Sequence, residues 1–156
     1  MRCAIVTGAG TGIGRAIALK LAGMGHALVL AGRRTAPLQE VADLIRKTNG
    51  RAEPVAADVT QEDAVQRLVA RAMDAFQRVD VLVNNAGMAL MRPLGEMTGQ
   101  EWRDTLESNV SSAFYATRAV WPIMRAQNSG RSSTSPRWPA RTRFRAWAHT
   151  ARPRRR

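Results

Sequence analysis

An α/β fold with a doubly wound parallel sheet is predicted by three observations. Short apolar runs alternate with stretches of helical apolar spacing, the runs are apolar almost throughout, and the first of them ends in a glycine-rich turn just ahead of a helical pattern. With 156 residues the chain has room for one domain with a sizeable core and is too short for two ordinary ones.

Cys3-Ala4-Ile5-Val6 reads as the first strand, and Gly12 to Met24, with Ile13, Ala16, Ile17, Leu21 and Met24 at helical spacing, as the first helix. Ala27 to Ala31 repeats the strand signal. Leu38, Val41, Ala42 and Ile45 mark a second helix, closed by Asn49-Gly50. A third strand fits Ala52 to Ala57, where Pro54 is tolerable only near a sheet edge. Thr60 is the expected N-cap of a third helix whose first turn holds Glu62 and Asp63, placed to suit its dipole. Ala64, Val65, Leu68, Val69, Ala72, Met73 and Phe76 give that helix its apolar face. Val79 to Val83 forms a fourth strand leading into Asn84-Asn85-Ala86-Gly87. After a loop with Pro93 and Gly95, one helical region spans roughly Thr98 to Gln127 and carries Trp102, Leu106, Val110, Phe114, Ala119 and Met124. Beyond Gly130 the periodicity stops, so the sheet is expected to be truncated after about four strands.

The formal charge of +12 divides unevenly. Residues 1–128 hold 15 basic and all 12 acidic side chains, whereas residues 129–156 hold nine arginines and no acid. Two units are therefore expected: a nucleotide-binding domain over 1–128, incomplete, and an Arg-rich tail over 129–156 that is disordered or read out of frame. The single cysteine, Cys3, excludes an internal disulfide framework and a cysteine metal cluster, and no metal site is expected. With no secretory h-region and no apolar stretch of membrane-spanning length, the expectation is a cytoplasmic protein.

The turn Thr7-Gly8-Ala9-Gly10-Thr11-Gly12-Ile13-Gly14 lies where such a fold needs an anion site. Glycine lets the backbone approach a pyrophosphate, and a helix N-terminus offers free N–H groups and the positive end of its dipole. Glycines alone also make plain turns.

The pattern TGxxxGIG, then Asp58-Val59, Asn84-Asn85-Ala86-Gly87 and Asn109, in that order, resembles the short-chain dehydrogenase/reductase family over residues 1–128. The resemblance implies a Rossmann-type fold and an NAD(P) cofactor. Gly8, Gly12, Ile13 and Gly14 would line pyrophosphate and ribose. Asp58 and Val59 would contact the adenine, and Asn84, Ala86 and Gly87 would shape the cofactor side of the fourth strand. Asn109 would belong to the catalytic group, holding a proton-relay water. Each has a plainer alternative: Asp58 as a strand end, Asn85-Ala86-Gly87 as a turn, Asn109 as an ordinary helical residue.

Cofactor choice is read at the end of the second strand, where an acid would hydrogen-bond the ribose 2′-hydroxyl of NAD. Here stand Arg33 and Arg34, and a guanidinium suits the 2′-phosphate of NADP by charge and fork geometry. NADP is favoured and NAD remains open, as does the reading of both arginines as solvated loop charges.

The family's proton transfer needs a Tyr followed four residues later by a Lys, with a preceding Ser. The only tyrosine is Tyr115 and the only lysines are Lys20 and Lys47, so that pair is absent. Instead Gly130-Arg131 leads into Ser132-Ser133-Thr134-Ser135-Pro136, then a run rich in Arg, Trp, Ala and Pro. Codons built from the third base of one residue and the first two of the next permit Ile-Ile-Asn-Ile-Ser over 132–136 and Ser at position 137. They permit Tyr-Ser-Ala-Ser-Lys over positions 150–154, the tyrosine 13 residues after that serine, which is the family's spacing. A frame disruption just after Arg131 and a divergent tail are the two explanations.

The expected function is therefore NADP(H)-dependent interconversion of a small alcohol and a ketone, in a chain without the residues to perform it. The alternative is a non-catalytic dinucleotide-binding fragment. A third reading takes the tail as a nucleic-acid-binding arm, with nine arginines beside Trp138 and Trp147, and is the least favoured. Family members are often homo-oligomers; here that is doubtful, because one of the helices they use is absent.

Overall fold

The computed structural model describes residues 1–134. Its elements run β1 (Cys3–Thr7), α1 (Gly12–Gly23), β2 (Ala27–Gly32), α2 (Thr35–Lys47), β3 (Ala52–Ala56), α3 (Glu62–Phe76), β4 (Val81–Asn84), a 3₁₀ turn (Leu94–Glu96), α4 (Gly99–Leu106), a π-helical turn (Glu107–Ser111), α5 (Ser112–Ala126) and β5 (Arg131–Thr134). All strands are parallel, in the order β3-β2-β1-β4-β5. Alternation along β1 divides its side chains between two cores. Cys3 and Ile5 face α3 and α5, in a layer with Leu68, Ala72, Ala116 and Val120, while Ala4 and Val6 face α1 and α2, in a layer with Ala18, Leu38, Val41 and Ile45. This is the predicted doubly wound architecture, and β3, with Pro54, is indeed an edge strand.

Among the described residues the sheet has five strands, not about four. β5 pairs with β4 from Val81↔Arg131 to Asn84↔Thr134, within the segment read as the Arg-rich tail. Its sequence, Arg-Ser-Ser-Thr, has no apolar alternation by which a strand could be recognised; backbone pairing alone makes it one. The remainder of that tail, from residue 135, lies outside the described residues.

Three local expectations are also corrected. Thr60 does not cap α3: Gln61 occupies that position without a side-chain cap, and the Thr60 hydroxyl donates to Asp58 Oδ1 at 2.8 Å. α1 buries its small residues Gly14 and Ala18, leaving Ile13 and Met24 exposed. The region from Thr98 to Gln127 keeps its helical run through the π-helical turn, and what differs is the face it buries. α5 buries Ala116, Val120 and Met124 against the sheet, whereas Trp102, Leu106, Val110 and Phe114 face outward.

The lower end of the sheet, where the strands begin, is fastened around Asp80. Its carboxylate accepts from the Cys3 amide at 2.8 Å and from Arg78 through Nε and Nη2 at 2.8 and 2.7 Å. The Asp80 amide donates to the Cys3 carbonyl, and the Arg131 amide to the Asp80 carbonyl. Gln127 bonds the Val79 backbone through both amide atoms. Burial pushes the Asp80 carboxyl up, but Arg78 and the Cys3 amide outweigh it and hold the group below the usual carboxylate range. Burial, helped by Asp80, raises the Cys3 thiol to about 12, as suits a small core residue.

Candidate dinucleotide cleft

The strand order reverses between β1 and β4, and above their carboxyl ends lies a cleft of about 270 Å³. Its wall at β1 is the glycine-rich turn. Gly8 and Gly12 have φ of +65° and +55°, a region that L side chains avoid, so the turn's path demands glycine at both. Gly14 is required for a different reason: a Cβ there would lie 2.2 Å from the Gly8 carbonyl oxygen and 2.5 Å from Asn85 Nδ2. α1 thus begins pressed against the end of β1.

That beginning is chemically bare. Thr11, the N-cap, makes no side-chain capping bond, and no acid stands in the first turn. α4 is the contrast: Thr98 and Glu101 form a complete capping box, in which the Thr98 amide draws the Glu101 carboxyl below its ordinary value. The first N–H groups of a helix have no intrahelical acceptor, so the α1 terminus presents unmatched donors and a positive dipole end. Ile13 sits there exposed.

The opposite wall comes from β2, β3 and β4. Arg33 and Arg34, after β2, line the cleft, are exposed, and form no ion pair among the described residues. Asp58 lines it from beyond β3, its Oδ1 accepting from the Thr60 amide and hydroxyl, with Val59 buried beside it. Ala86 and Gly87 line it after β4. Asn84 is buried at the end of β4, donating through Nδ2 to Thr117 Oγ1 at 3.2 Å while its Oδ1 has no partner, and it does not line the cleft. Asn109 lies in the π-helical turn and spends Nδ2 on the carbonyls of Met88 (2.7 Å) and Thr105 (2.8 Å), fixing the loop after β4 to the helix.

Two residues that the sequence reading did not assign to the site hold it together. The buried Thr7 hydroxyl donates to the Val83 carbonyl and accepts from the amides of Asn85 and Ala86, and Asn85 Nδ2 donates to the Thr7 and Gly8 carbonyls. Both stand inside the quoted motifs, which was the available signal. A glycine cradle, uncapped donors and unpaired cations on one cleft form a donor set suited to a dinucleotide with several phosphates. No group of three or more His, Cys, Asp or Glu able to hold a metal occurs among the described residues, and no helix among them is long and apolar enough to cross a membrane.

Comparison with known proteins bears on the same segment. The family described as short chain dehydrogenase matches residues 2–132. A 3-oxoacyl-[acyl-carrier-protein] reductase of Synechocystis is 41% identical over 130 residues, covering 82% of this chain and 52% of that protein. Two solved structures superpose closely, each over 85% of this chain. A 7α-hydroxysteroid dehydrogenase complexed with NADH and 7-oxo glycochenodeoxycholic acid gives a TM-score of 0.83 at 34% identity, with 52% of it covered. A metagenomic short-chain oxidoreductase in complex with NADP gives 0.81 at 36% identity, with 61% covered. The chain spans about half the length of the curated relatives it matches. By motif order, sheet topology and family match alike, it belongs to the short-chain dehydrogenase/reductase family of oxidoreductases, whose Rossmann-like fold binds NAD(P).

Proposed function

We propose that this chain is the cofactor-binding half of an NADP(H)-dependent oxidoreductase acting on a small alcohol or ketone, and that by itself it binds the dinucleotide without turning substrate over. The carrying observation is the bare N-terminus of α1 facing a cleft that also holds Arg33 and Arg34, unpaired and unopposed by an acid at the end of β2. Gly8, Gly12, Ile13 and Gly14 would hold pyrophosphate and ribose, Asp58 and Val59 the adenine, and Ala86 and Gly87 the far wall, with Asn84 shaping that wall from behind. The arginines would take the 2′-phosphate.

When bound, the nicotinamide supplies or accepts a hydride. The chain's own contribution stops short of the accompanying proton. Asn109 is the one residue of the family's catalytic group that the sequence retains, and its amide nitrogen is committed to Met88 and Thr105. Losing a positioned acid/base costs on the order of 10²–10⁴ in rate, so no measurable dehydrogenase activity is expected. A cytoplasmic site fits the cofactor and the one reduced cysteine, and no nucleic-acid partner is proposed.

Titration of the purified chain with NADPH and with NADH, followed by tryptophan fluorescence and calorimetry, tests the reading. Binding of NADPH at least tenfold tighter than NADH is expected; equal affinities would overturn the NADP assignment, and absence of binding the function itself. NADPH consumption with any ketone would overturn the proposed inactivity.

A further inference from the structure

β5 is the outermost described strand beside β4, mostly exposed, and it pairs as a strand without a strand's side-chain pattern. It continues a parallel sheet whose neighbouring strands are buried and apolar, and α5 packs against the adjoining β4, bringing Thr117 Oγ1 within 3.5 Å of Ser132 Oγ. Strands in such sheets are near-continuous apolar runs. β1 is Cys-Ala-Ile-Val-Thr and β2 is Ala-Leu-Val-Leu-Ala-Gly, whereas β5 is Arg-Ser-Ser-Thr. The backbone pairs in register with β4 although the side chains are polar.

We infer that one nucleotide has been lost at codon 131, and that the coding sequence beyond it carries, in the neighbouring frame, an apolar strand in place of Arg-Ser-Ser-Thr. The genetic code makes the inference restrictive. In that frame each codon joins the third base of one codon to the first two of the next. Wherever a serine is encoded by the TCN set, the shifted codon ends in TC and specifies Ile, Val, Leu or Phe; Ser132, Ser133 and Ser135 therefore convert to apolar residues without any choice of preceding base. Thr134 converts to Asn, Asp, His or Tyr. An apolar pair, one polar residue and a further apolar residue replace a polar strand.

Five later positions are constrained regardless of serine codon choice. Trp138 and Trp147 each convert to Val, Leu or Met, the step from Trp138 to Pro139 yields only alanine, that from Trp147 to Ala148 only glycine, and that from His149 to Thr150 only tyrosine or histidine. Arginine density rises at the same place, from two in residues 108–130 to nine in residues 131–156, and the family match ends at residue 132. The inference concerns the coding sequence and holds or fails independently of what the cleft binds.

The nucleotide sequence of genomic DNA and transcript across codons 125–160 tests it. TCN codons at 132 and 133 with an open neighbouring frame through position 154 are the expected result. AGC or AGT at either serine would place a charged residue, glutamine or a stop in the strand, and that, or a stop anywhere up to 154, overturns the proposal. A protein expressed after insertion of one base at codon 131 supplies a physical readout. Its unfolding midpoint in urea is expected to rise above that of the present chain, and an unchanged or lower midpoint would count against it.

Discussion

The side chain of Asn85 donates to the Thr7 carbonyl at 3.0 Å while the Asn85 amide donates to the Thr7 hydroxyl at the same distance. These two bonds, both donated by Asn85, join the ends of β1 and β4 where the strand order reverses, beside the cleft. Thr7→Val removes the hydroxyl that accepts from the Asn85 and Ala86 amides and donates to the Val83 carbonyl, a loss of about 1–3 kcal/mol where a polar group is left unsatisfied. Urea denaturation should show that loss, and Thr7→Ser should recover most of it.

Gly14→Ala forces a methyl group onto the Gly8 carbonyl and the Asn85 amide. Overpacking of this kind costs about 1–3 kcal/mol. The substitution is expected to lower the thermal midpoint and abolish NADPH quenching of tryptophan fluorescence, because relief of the contact moves the turn itself. Gly23→Ala, at a position with nothing near the added methyl, is the control and should change neither.

Arg33→Ala with Arg34→Ala should discriminate between cofactors. Hydrogen bonds to charged groups contribute about 1.5–3 kcal/mol, which corresponds to roughly tenfold to a hundredfold in affinity. Calorimetry should show that loss for NADPH, little change for NADH, and a steeper salt dependence for NADPH in the unsubstituted chain.

Asp80 makes stability depend on pH in the acid range. Its carboxyl is depressed in the folded chain relative to about 3.9 when unfolded. The stabilisation is therefore fully present above roughly pH 4 and lost as pH falls through the folded value. Arg78 is partly exposed, which weakens the pair through solvent screening. Asp80→Asn should cost about 1–3 kcal/mol at neutral pH, and the gap in urea midpoint between the two proteins should narrow progressively as pH is lowered below about 4.

Cys3, fully buried with its thiol raised to about 12, should not react with a disulfide reagent at pH 8 in the folded chain and should react at once in denaturant. Rapid labelling under native conditions would mean that β1 is not seated in the sheet.

Strands β1, β2 and β4 are legible because burial on both faces keeps them apolar or small up to their last residue. β5 is not, since its strand character resides in backbone pairing with β4 and its side chains carry no period. Helical spacing located the long helix near residues 98–127 but not the face it turns to the sheet: Trp102, Leu106, Val110 and Phe114 fit one apolar stripe and Ala116, Val120 and Met124 another, and only packing selects the second. The glycines and arginines of the cleft announced themselves by composition. Thr7 and Asn85 did not, because their bonds join residues 78 positions apart and neither side chain is unusual where it stands.

The clamp around Asp80 gives the two ends of the sheet different dynamics. At the lower end, backbone and side-chain bonds from β1, β5 and Gln127, just past α5, converge on Val79 and Asp80, with Arg78 bonded to Asp80 beside them. At the upper end the strands run out into glycine turns and loops. Local opening free energies follow such differences in bonding. Amide hydrogen exchange should therefore be slowest at Cys3, Ala4 and Asp80 and should quicken along each strand toward Gly8 and Gly87, so that a ligand spanning the upper end would slow exchange most where the fold alone protects least.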